Sequence, residues 1–374
     1  MGARMAEDLG AQEEAVLALI NANPFASQRE IAERLGLARS TVAAHIARLV
    51  AKGRLLGRGY VLPQPQRIAV IGGAVLDRKY HARHELIMGT SNPVEGHRNF
   101  GGVARNVAEN LARLGATVSF VSAVGDDLSG RELLAHLRAL GVDVSQVIVA
   151  RGHATAEYAA ILDPRNELAI GVADMAIFDL LAPEVLDRIW PHLASADWVF
   201  ADCNLPAATL AALIARRQEA KFRLAVNTVS SPKAVRLPKD LSGVDVLFTN
   251  LDEANAMIGG LDAPASATPV EAAAALRDAG AAAVLVTVGA EGYAIADAGG
   301  ARMRPAVPAQ PVDITGAGDS MVAGTLSRLL SGAALDEAAR TGALVAALTI
   351  ESPFSVHPGL SQALVESAAH RIPA

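Results

Sequence analysis

The sequence predicts an α/β protein whose main domain is a doubly wound, mostly parallel sheet, with a small helical domain ahead of it. Short apolar runs such as Ile68–Ile71 alternate with longer Ala- and Leu-rich stretches of helical period. Polar residues or glycines follow several of the apolar runs, where the strands of such a sheet present ligands. The charge is also split, because residues 1–65 carry eight Lys or Arg against six acids and the rest is net acidic. We therefore expect two parts with different partners.

The composition excludes several classes of protein. A hydrophobic content of 51% is too high for a disordered chain, and the formal charge of −6 is mild. A single cysteine, Cys203, excludes a disulfide scaffold, and we expect it to be a small core residue. No apolar run approaches the ~20 residues that span a bilayer, and the acidic start lacks the apolar core of a signal peptide. We therefore expect a soluble, cytoplasmic protein with no membrane partner.

The first segment has the pattern of three short helices. The first covers Gln12–Ile20, where apolar residues recur at helical spacing. Ser27 and Glu30 form a capping box that opens the second helix. We expect Ser40 to cap the third helix and Gly53 to end it. Two short helices joined by a tight turn, the second with basic residues on its outer face, predict a helix-turn-helix.

The stretch 53–62 has the alternation and the glycines of a β-hairpin wing. Residues 1–62 thus resemble the winged helix-turn-helix modules of bacterial regulators, which implies DNA binding, with residues 63–66 as a short linker. The alternative is a winged helix used only for oligomerisation or for packing on the larger domain, because a net charge of +2 is modest for a nucleic-acid binder. The residues expected to face DNA are Arg39, Thr41, His45, Arg48 and Arg58.

The elements of the large segment follow in order from its apolar runs. After a first strand at Arg67–Ile71, further strands are predicted at 118–121, 198–201, 224–227, 246–249 and 284–288. The helical stretches between and after them are 103–114, 207–216, 271–279 and 335–348. Strands alternating with helices in this way predict βαβ units and a parallel sheet with helices on both faces.

The strongest local signal is the run Asp313–Ser320, which precedes a predicted helix. Glycines at a helix start let backbone amides point at an anion, and the helix dipole adds to the attraction. A carboxylate inside such a site repels a phosphate, but it is useful if it accepts a proton from the attacking hydroxyl. We therefore predict phosphoryl transfer, with Asp319 as base and Gly316, Ala317 and Gly318 as the anion cradle. The alternative is that Asp319 only caps the helix.

Other polar residues and glycines stand just after predicted strands or at helix starts. They are Asp77, the group Gly101, Gly102 and Asn106, the pair Asn250 and Glu253, and the group Thr287, Gly289 and Gly292. In this set and order, the chain from Arg67 to its end resembles the ribokinase-like (PfkB) family of carbohydrate and nucleoside kinases. The resemblance implies a ribokinase-like fold over 67–374, with a small β lid from parts of 78–99 and 155–171. It also implies transfer of the γ-phosphate of ATP to a primary hydroxyl.

The resemblance assigns a role to each of these residues. The ribose hydroxyls would be held by Asp77, Gly101, Gly102 and Asn106. ATP would be bound with Mg²⁺ by Asn250, Glu253, Thr287, Gly289 and Gly292, with Glu253 ordering the metal through water. Asp313 matches a position that helps to bind a potassium-like cation in many members. The chain departs from the family pattern at Ile314 and Met321, both expected to be packing positions, and we expect a homodimer.

Longer strings, such as Gly89–Pro93 and Gly101–Gly115, are similar to pseudouridine kinases within the family. They imply phosphorylation of the 5′-hydroxyl of pseudouridine, with another ribonucleoside or a free sugar as the alternatives. A uracil edge requires paired hydrogen bonds, which Ser91, Asn92 or Asp174 could supply, unless these are only turn residues.

A different class of function is a transcriptional regulator whose kinase-like domain only senses a nucleoside or sugar. The intact Asp319 and its glycines favour the enzyme, because a sensor needs no base.

Overall fold

The computed structural model describes residues 9–23, 26–56, 67–260 and 267–373. The helices are α1 (Ala11–Ala22), α2 (Gln28–Leu35), α3 (Arg39–Ala51), α4 (Val103–Arg113), α5 (Leu128–Ala139), α6 (Pro183–Ala194), α7 (Ala207–Arg217), α8 (Ser231–Ala234), α9 (Leu251–Gly259), α10 (Pro269–Asp278), α11 (Ala317–Leu330), α12 (Leu335–Ile350) and α13 (Gln362–Ala368). The strands are β1 (Arg67–Ile71), β2 (Val75–Ala82), β3 (Val94–Gly101), β4 (Thr117–Val121), β5 (Ala123–Gly125), β6 (Ile148–Ala150), β7 (Glu157–Leu162), β8 (Leu168–Asp174), β9 (Trp198–Asp202), β10 (Arg223–Asn227), β11 (Val246–Asn250), β12 (Val284–Thr287), β13 (Tyr293–Asp297) and β14 (Gly300–Arg304).

Helices α1, α2 and α3 pack around a small apolar core of their own. The predicted capping box is confirmed, since Ser27 Oγ accepts from the Glu30 N–H and the Glu30 carboxylate accepts from the Ser27 N–H. The expectation that Ser40 caps α3 is wrong. Ala38 is the N-cap, with extended backbone angles, and Ser40 already lies inside the first turn. The helix is followed, as expected, by Gly53 in a left-handed conformation.

The end of α3 packs against α6 of the larger domain. The predicted wing beyond residue 56 and the predicted linker 63–66 lie outside the described residues.

The central sheet of the large domain has eight strands within the described residues, in the order β14-β13-β12-β11-β10-β9-β1-β4. Neighbouring strands in the order β12-β11-β10-β9-β1-β4 are all parallel. Strands β13 and β14 extend the sheet beyond β12 with antiparallel pairs. Every residue of β1 is buried, which explains its unbroken apolar run, because helices cover both faces of a doubly wound sheet. The predicted mostly parallel α/β architecture is confirmed.

A second sheet, the lid, has the order β3-β2-β7-β8. Its strands β2 and β7 are parallel, and the two outer pairs are antiparallel. The lid is wider than the predicted segments 78–99 and 155–171, because β2 begins at Val75, β3 ends at Gly101 and β8 continues to Asp174. Strands β5 and β6 form a separate parallel pair.

Two apolar cores lie on opposite faces of the central sheet. One contains side chains of α6, α7 and α10, and the other contains side chains of α4, α5, α11 and α12. Met321 is buried in the second core, as expected, and Cys203 is buried in the first. Ile314 was expected to pack as well, but its side chain is 74% exposed because it stands in the loop before α11. Among the described residues, none of the helices combines the length and the apolar character needed to cross a bilayer.

Candidate active site

The first turn of α11 forms an open, amide-lined surface. Its N-cap, Gly316, has a φ of 83°, and a Cβ there would overlap the backbone of Ser355, so only glycine fits. The first backbone N–H groups of a helix have no intrahelical acceptor. A Cβ built on Gly318 would meet no atom within 4 Å, so the space above this turn is free. The backbone of Gly316, Ala317 and Gly318 is therefore accessible at the start of the helix, and its role as an anion cradle stays a prediction.

Asp319 is the third residue of α11 and is only 9% exposed. Its Oδ2 accepts a hydrogen bond of 2.6 Å from Asn106 Nδ2 on α4. Burial raises the pKa of Asp319 to about 7, and the Asn106 bond and the nearby Arg105 charge only partly oppose that rise. Asp77 and Asp202 add to it by like-charge repulsion. A carboxyl with a pKa near the working pH is suited to act as a general base.

A buried chain of polar contacts continues from Asn106 away from Asp319. Arg105 donates to the Asn106 side-chain oxygen and forms an ion pair of 2.5 Å with Glu109. Glu109 also binds Arg113 and His136, so the buried guanidinium is firmly anchored. Asn106 was expected to hold a ribose hydroxyl, but its side-chain oxygen and one of its amide protons serve these protein contacts. Arg105 was not among the predicted site residues, although its place directly before Asn106 was visible in the sequence.

Asp77 lies on lid strand β2, where it is opposite Asn99 of β3. Val75, two residues earlier on β2, is opposite Gly101. A Cβ at Gly101 would overlap the Asp77 carboxylate, so this glycine makes room for the acid. Gly102 is the N-cap of α4, the helix that carries Asn106. Burial raises the pKa of Asp77 to about 6, against the lowering effect of Arg105 and Lys79. The predicted ribose-binding residues thus meet where the lid joins the central domain.

Asp202, at the end of β9, is a fully buried acid that was not among the predicted site residues. Its carboxylate accepts from the backbone N–H groups of Gly73, Ala104 and Asn204, at distances from 2.9 to 3.2 Å. It therefore joins the turn after β1 to the first turn of α4. The sequence did contain a signal for it, because Asp202 is an acid that follows a predicted strand, as Asp77 is.

The predicted nucleotide-binding residues follow β11 and β12. Asn250 is the N-cap of α9 and forms a capping box with Glu253, and its side-chain Nδ2 donates a third hydrogen bond, of 2.8 Å, to Glu253 Oε1. The Glu253 carboxylate also accepts from the Thr228 hydroxyl. Both Glu253 oxygens therefore have protein donors, which fits a residue that orders a metal-bound water better than a direct ligand. Thr287 ends β12, and Gly289 and Gly292 bound the short 3₁₀ turn that follows.

Asp313 has a partner that the sequence did not reveal. Its Oδ2 accepts from Lys79 Nζ of β2 at 2.7 Å, and its Oδ1 accepts from the Thr315 N–H at 2.8 Å. Both carboxylate oxygens are thus occupied by donors. As the side chains stand, they do not fit a potassium ion on Asp313.

The residues predicted for a uracil edge lie on the lid and its loop, where Ser91 and Asp174 are exposed and Asn92 is half-buried. Asn92 Oδ1 accepts from the Ile87 N–H, and Asn92 Nδ2 donates to the backbone carbonyls of Ile87 and Thr90. Asn92 thus closes the turn of its own loop, which is the alternative that the sequence left open. Ser91 stands next to it, and Asp174 ends β8, two strands from Asp77 in the lid.

The basic face of α3 differs from the prediction. His45 is buried rather than outward-facing, because its ring nitrogen bonds Gln12 of α1 at 3.1 Å. The buried Glu13 forms ion pairs with Arg48 and Lys52, so these charges are partly neutralised within the domain. Arg39 is exposed and Thr41 is half-buried, while Arg58 lies outside the described residues.

Comparisons with known proteins agree with this architecture. A family model described as pfkB family carbohydrate kinase matches residues 66–360, and one described as winged helix-turn-helix DNA-binding matches residues 11–55. An uncharacterized sugar kinase of Escherichia coli, YeiI, is 32% identical over 94% of this chain and 96% of its own. The pseudouridine kinase of Escherichia coli is 29% identical over 80% of this chain and 97% of its own. The solved structure of a carbohydrate kinase from Agrobacterium tumefaciens superposes with a TM-score of 0.73, at 32% identity, over 82% of this chain and 98% of that one.

Proposed function

The chain belongs to the pfkB family of carbohydrate kinases, and from that premise we propose that it phosphorylates the 5′-hydroxyl of a ribonucleoside, pseudouridine first of all. That it is a nucleoside or sugar kinase of the ribokinase type follows from the family. The observation that carries the proposal is the buried Asp319 carboxyl beside the open amides of α11. We assign this acid the role of a proton acceptor rather than that of a helix cap.

In the proposed reaction, the acceptor hydroxyl lies against Asp319 and its oxygen attacks the γ-phosphorus of ATP. Asp319 takes the hydroxyl proton as the new O–P bond forms and the bond to the β-phosphate oxygen breaks. The amides of Gly316, Ala317 and Gly318 stabilise the charge on the transferring phosphoryl group. Asn106 holds the carboxylate in orientation, and Asp77 binds sugar hydroxyls from the lid side.

ATP would bind with Mg²⁺, which neutralises the phosphate charge when bound. Asn250 and Glu253 would order its water shell, since Mg²⁺ keeps several waters and uses few protein ligands. Among the described residues there is no cluster of three or more acidic, histidine or cysteine side chains that could form an all-protein metal site. This agrees with a metal that arrives with the nucleotide. Thr287, Gly289 and Gly292 would contact the nucleotide beyond β12.

Pseudouridine is supported by the strings in the lid loop and α4, and by the relative that bears the name pseudouridine kinase. Another ribonucleoside or a free sugar is the alternative, because YeiI is described only as a sugar kinase. The test is ADP formation by the purified full chain with ATP, Mg²⁺ and a panel of nucleosides and pentoses. We expect the highest kcat/KM with pseudouridine. A faster reaction with another nucleoside or pentose would reassign the substrate, and no ADP with any acceptor would end the kinase proposal.

The amino-terminal domain supports a second function, DNA binding. It matches a DNA-binding family model and exposes Arg39 at the start of α3. The packing of α3 on α6 supports the competing role of a structural domain. Gel retardation of genomic fragments at increasing salt distinguishes the two, because phosphate contacts weaken steeply with salt. A protein that retards no DNA at low salt uses this domain for packing only.

A chain that binds DNA and nucleoside but forms no ADP would be a sensing regulator.

A homodimer and a cytoplasmic location complete the proposal. The lid exposes large apolar side chains that a second copy could cover, and monomeric proteins rarely leave such a patch open. The most exposed of them are Ile87, Met88, Leu168 and Val172. Light scattering of the purified chain tests the dimer. The cytoplasmic location agrees with ATP as the phosphate donor.

A further inference from the structure

Lys79 places an ammonium group on the loop that leads into α11. Its Nζ lies 2.7 Å from Asp313 Oδ2 and 3.4 Å from Thr315 Oγ1. The side chains of Lys79 and Asp313 are 34% and 26% exposed, so this ion pair is partly shielded from water. Thr315 directly precedes Gly316, the N-cap of α11. The ammonium group therefore binds the same loop that positions the anion cradle.

A carboxylate and a hydroxyl are oxygen donors of the kind that a monovalent metal ion takes. The Lys79 ammonium has the same single charge and offers three N–H donors to them. Because the second oxygen of Asp313 already accepts from the Thr315 N–H, a potassium ion on Asp313 would have to displace Lys79. The Lys79 ammonium group thus occupies the position where the family resemblance implies a bound monovalent cation.

Lys79 also belongs to the strand that carries the sugar-binding acid. It stands two residues after Asp77 on β2, so both side chains project from the same face of the lid. Strand β2 pairs with β3 on one side and with β7 on the other, which holds Lys79 in register. The lid therefore brings the acid and the ammonium group to the central domain together.

We propose that the Lys79 ammonium group is the built-in monovalent cation of this kinase, holding the Asp313–Gly316 loop in the shape that presents the α11 amides to the phosphoryl group. This inference rests on the proposed kinase function. Lys79 is a positioning residue, because it acts through the loop and touches no reacting atom. Two consequences follow. The natural chain needs no potassium, and removal of the ammonium group creates a need for it.

The experiment measures kcat/KM of the full chain in potassium, sodium and tetramethylammonium chloride at equal ionic strength. We expect the natural chain to react equally fast in all three salts. Lys79→Met keeps a long unbranched side chain but removes the charge. We expect its kcat/KM to fall about 10–100-fold in tetramethylammonium, since misplaced catalytic donors cost that much, and to recover most of the loss in potassium. Adding Asp313→Asn to Lys79→Met should abolish the recovery.

Lys52→Met is the matched control, because Lys52 also pairs with a buried acid at 2.6 Å but lies outside the kinase domain. It should show no dependence on the salt. The proposal is overturned if potassium activates the natural chain, if Lys79→Met is equally active in every salt, or if a folded Lys79→Met recovers in none.

Thermal unfolding provides a readout that does not depend on activity. Potassium should raise the unfolding temperature of Lys79→Met above that in tetramethylammonium and leave the natural chain unchanged. If the natural chain forms no ADP from any acceptor, the kinase function fails, while this measurement still tests the ion site. If Lys79→Met does not fold, Lys79→Arg, which keeps the charge, should react without potassium. A potassium requirement in that variant would refute the role of the ammonium group.

Discussion

Replacing the proposed base, Asp319→Asn, should lower activity and raise stability at the same time. The first effect follows from the loss of the proton acceptor, which contributes at least ~10²-fold to kcat. The second follows from burial, which raises the pKa of Asp319 from 3.8 to about 7. Between these two values the folded chain holds a proton that the unfolded chain has released, so stability falls as pH rises from about 4 to about 7. A pKa difference of about 3 corresponds to at most about 4 kcal/mol above that range.

The assays are ADP formation and urea unfolding, both at about pH 8, where the carboxyl is ionised in both states. We expect the Asn variant to be nearly inactive and harder to unfold, with the gain in stability vanishing towards about pH 4. For the natural chain, kcat/KM should rise with pH to a plateau above an apparent pKa near 7. The exposed Asp240 provides the control, because Asp240→Asn keeps an acceptor for the Ser242 N–H and should change neither property much.

Three results would refute this reasoning. Unchanged turnover in Asp319→Asn would show that the carboxyl accepts no proton. A variant that is both inactive and less stable would show that its inactivity reflects damaged packing. A kcat/KM of the natural chain that does not change between about pH 6 and 8 would contradict the pKa of the base.

Three further predictions follow from the structure. Gly101→Ala should raise KM for the sugar or nucleoside by at least ~10-fold, measured by steady-state kinetics, because the added methyl group displaces Asp77. Arg105→Gln should lower the free energy of unfolding in urea by about 3 kcal/mol, since it leaves the buried Glu109 without its closest cation. If the amino-terminal domain binds DNA, Arg39→Ala should weaken binding several-fold and reduce its salt dependence in gel retardation, because one phosphate contact is lost.

The Gly101 and Arg105 variants each have a control in the chain. Gly10→Ala adds a methyl group where no atom lies within 4 Å and should leave KM unchanged. Arg29→Gln breaks an exposed ion pair and should cost less than about 1 kcal/mol. An unchanged KM in the Gly101 variant, an equal loss of stability in the two arginine variants, or DNA binding that does not depend on Arg39 would each contradict the corresponding argument.

Most of the fold could be predicted because its signals are local. The apolar runs of β1, β4, β9, β10, β11 and β12 agree with their predicted bounds to within one residue. The antiparallel strands β13 and β14 were not predicted, since they lie outside the βαβ pattern. The capping box at Ser27 was predicted correctly and the cap at Ser40 was not, because a serine can also stand in a first turn. His45 was misplaced because its contact with Gln12, and the burial of Glu13 beside it, depend on how α1 packs against α3.

The sequence by itself determined the class of the fold, the presence of two parts and the glycine-rich start of α11 with its acid. The reason is that hydrophobic period, glycine spacing and charge are properties of a few neighbouring residues. Only the tertiary structure decided which side chains share a buried space. Asn106 and Asp319 stand 213 residues apart in the chain, and Lys79 and Asp313 stand 234 apart, yet each pair is in hydrogen-bond contact. The first contact arises because α4 packs on α11, and the second because lid strand β2 lies against the loop before α11. No local sequence pattern encodes such contacts.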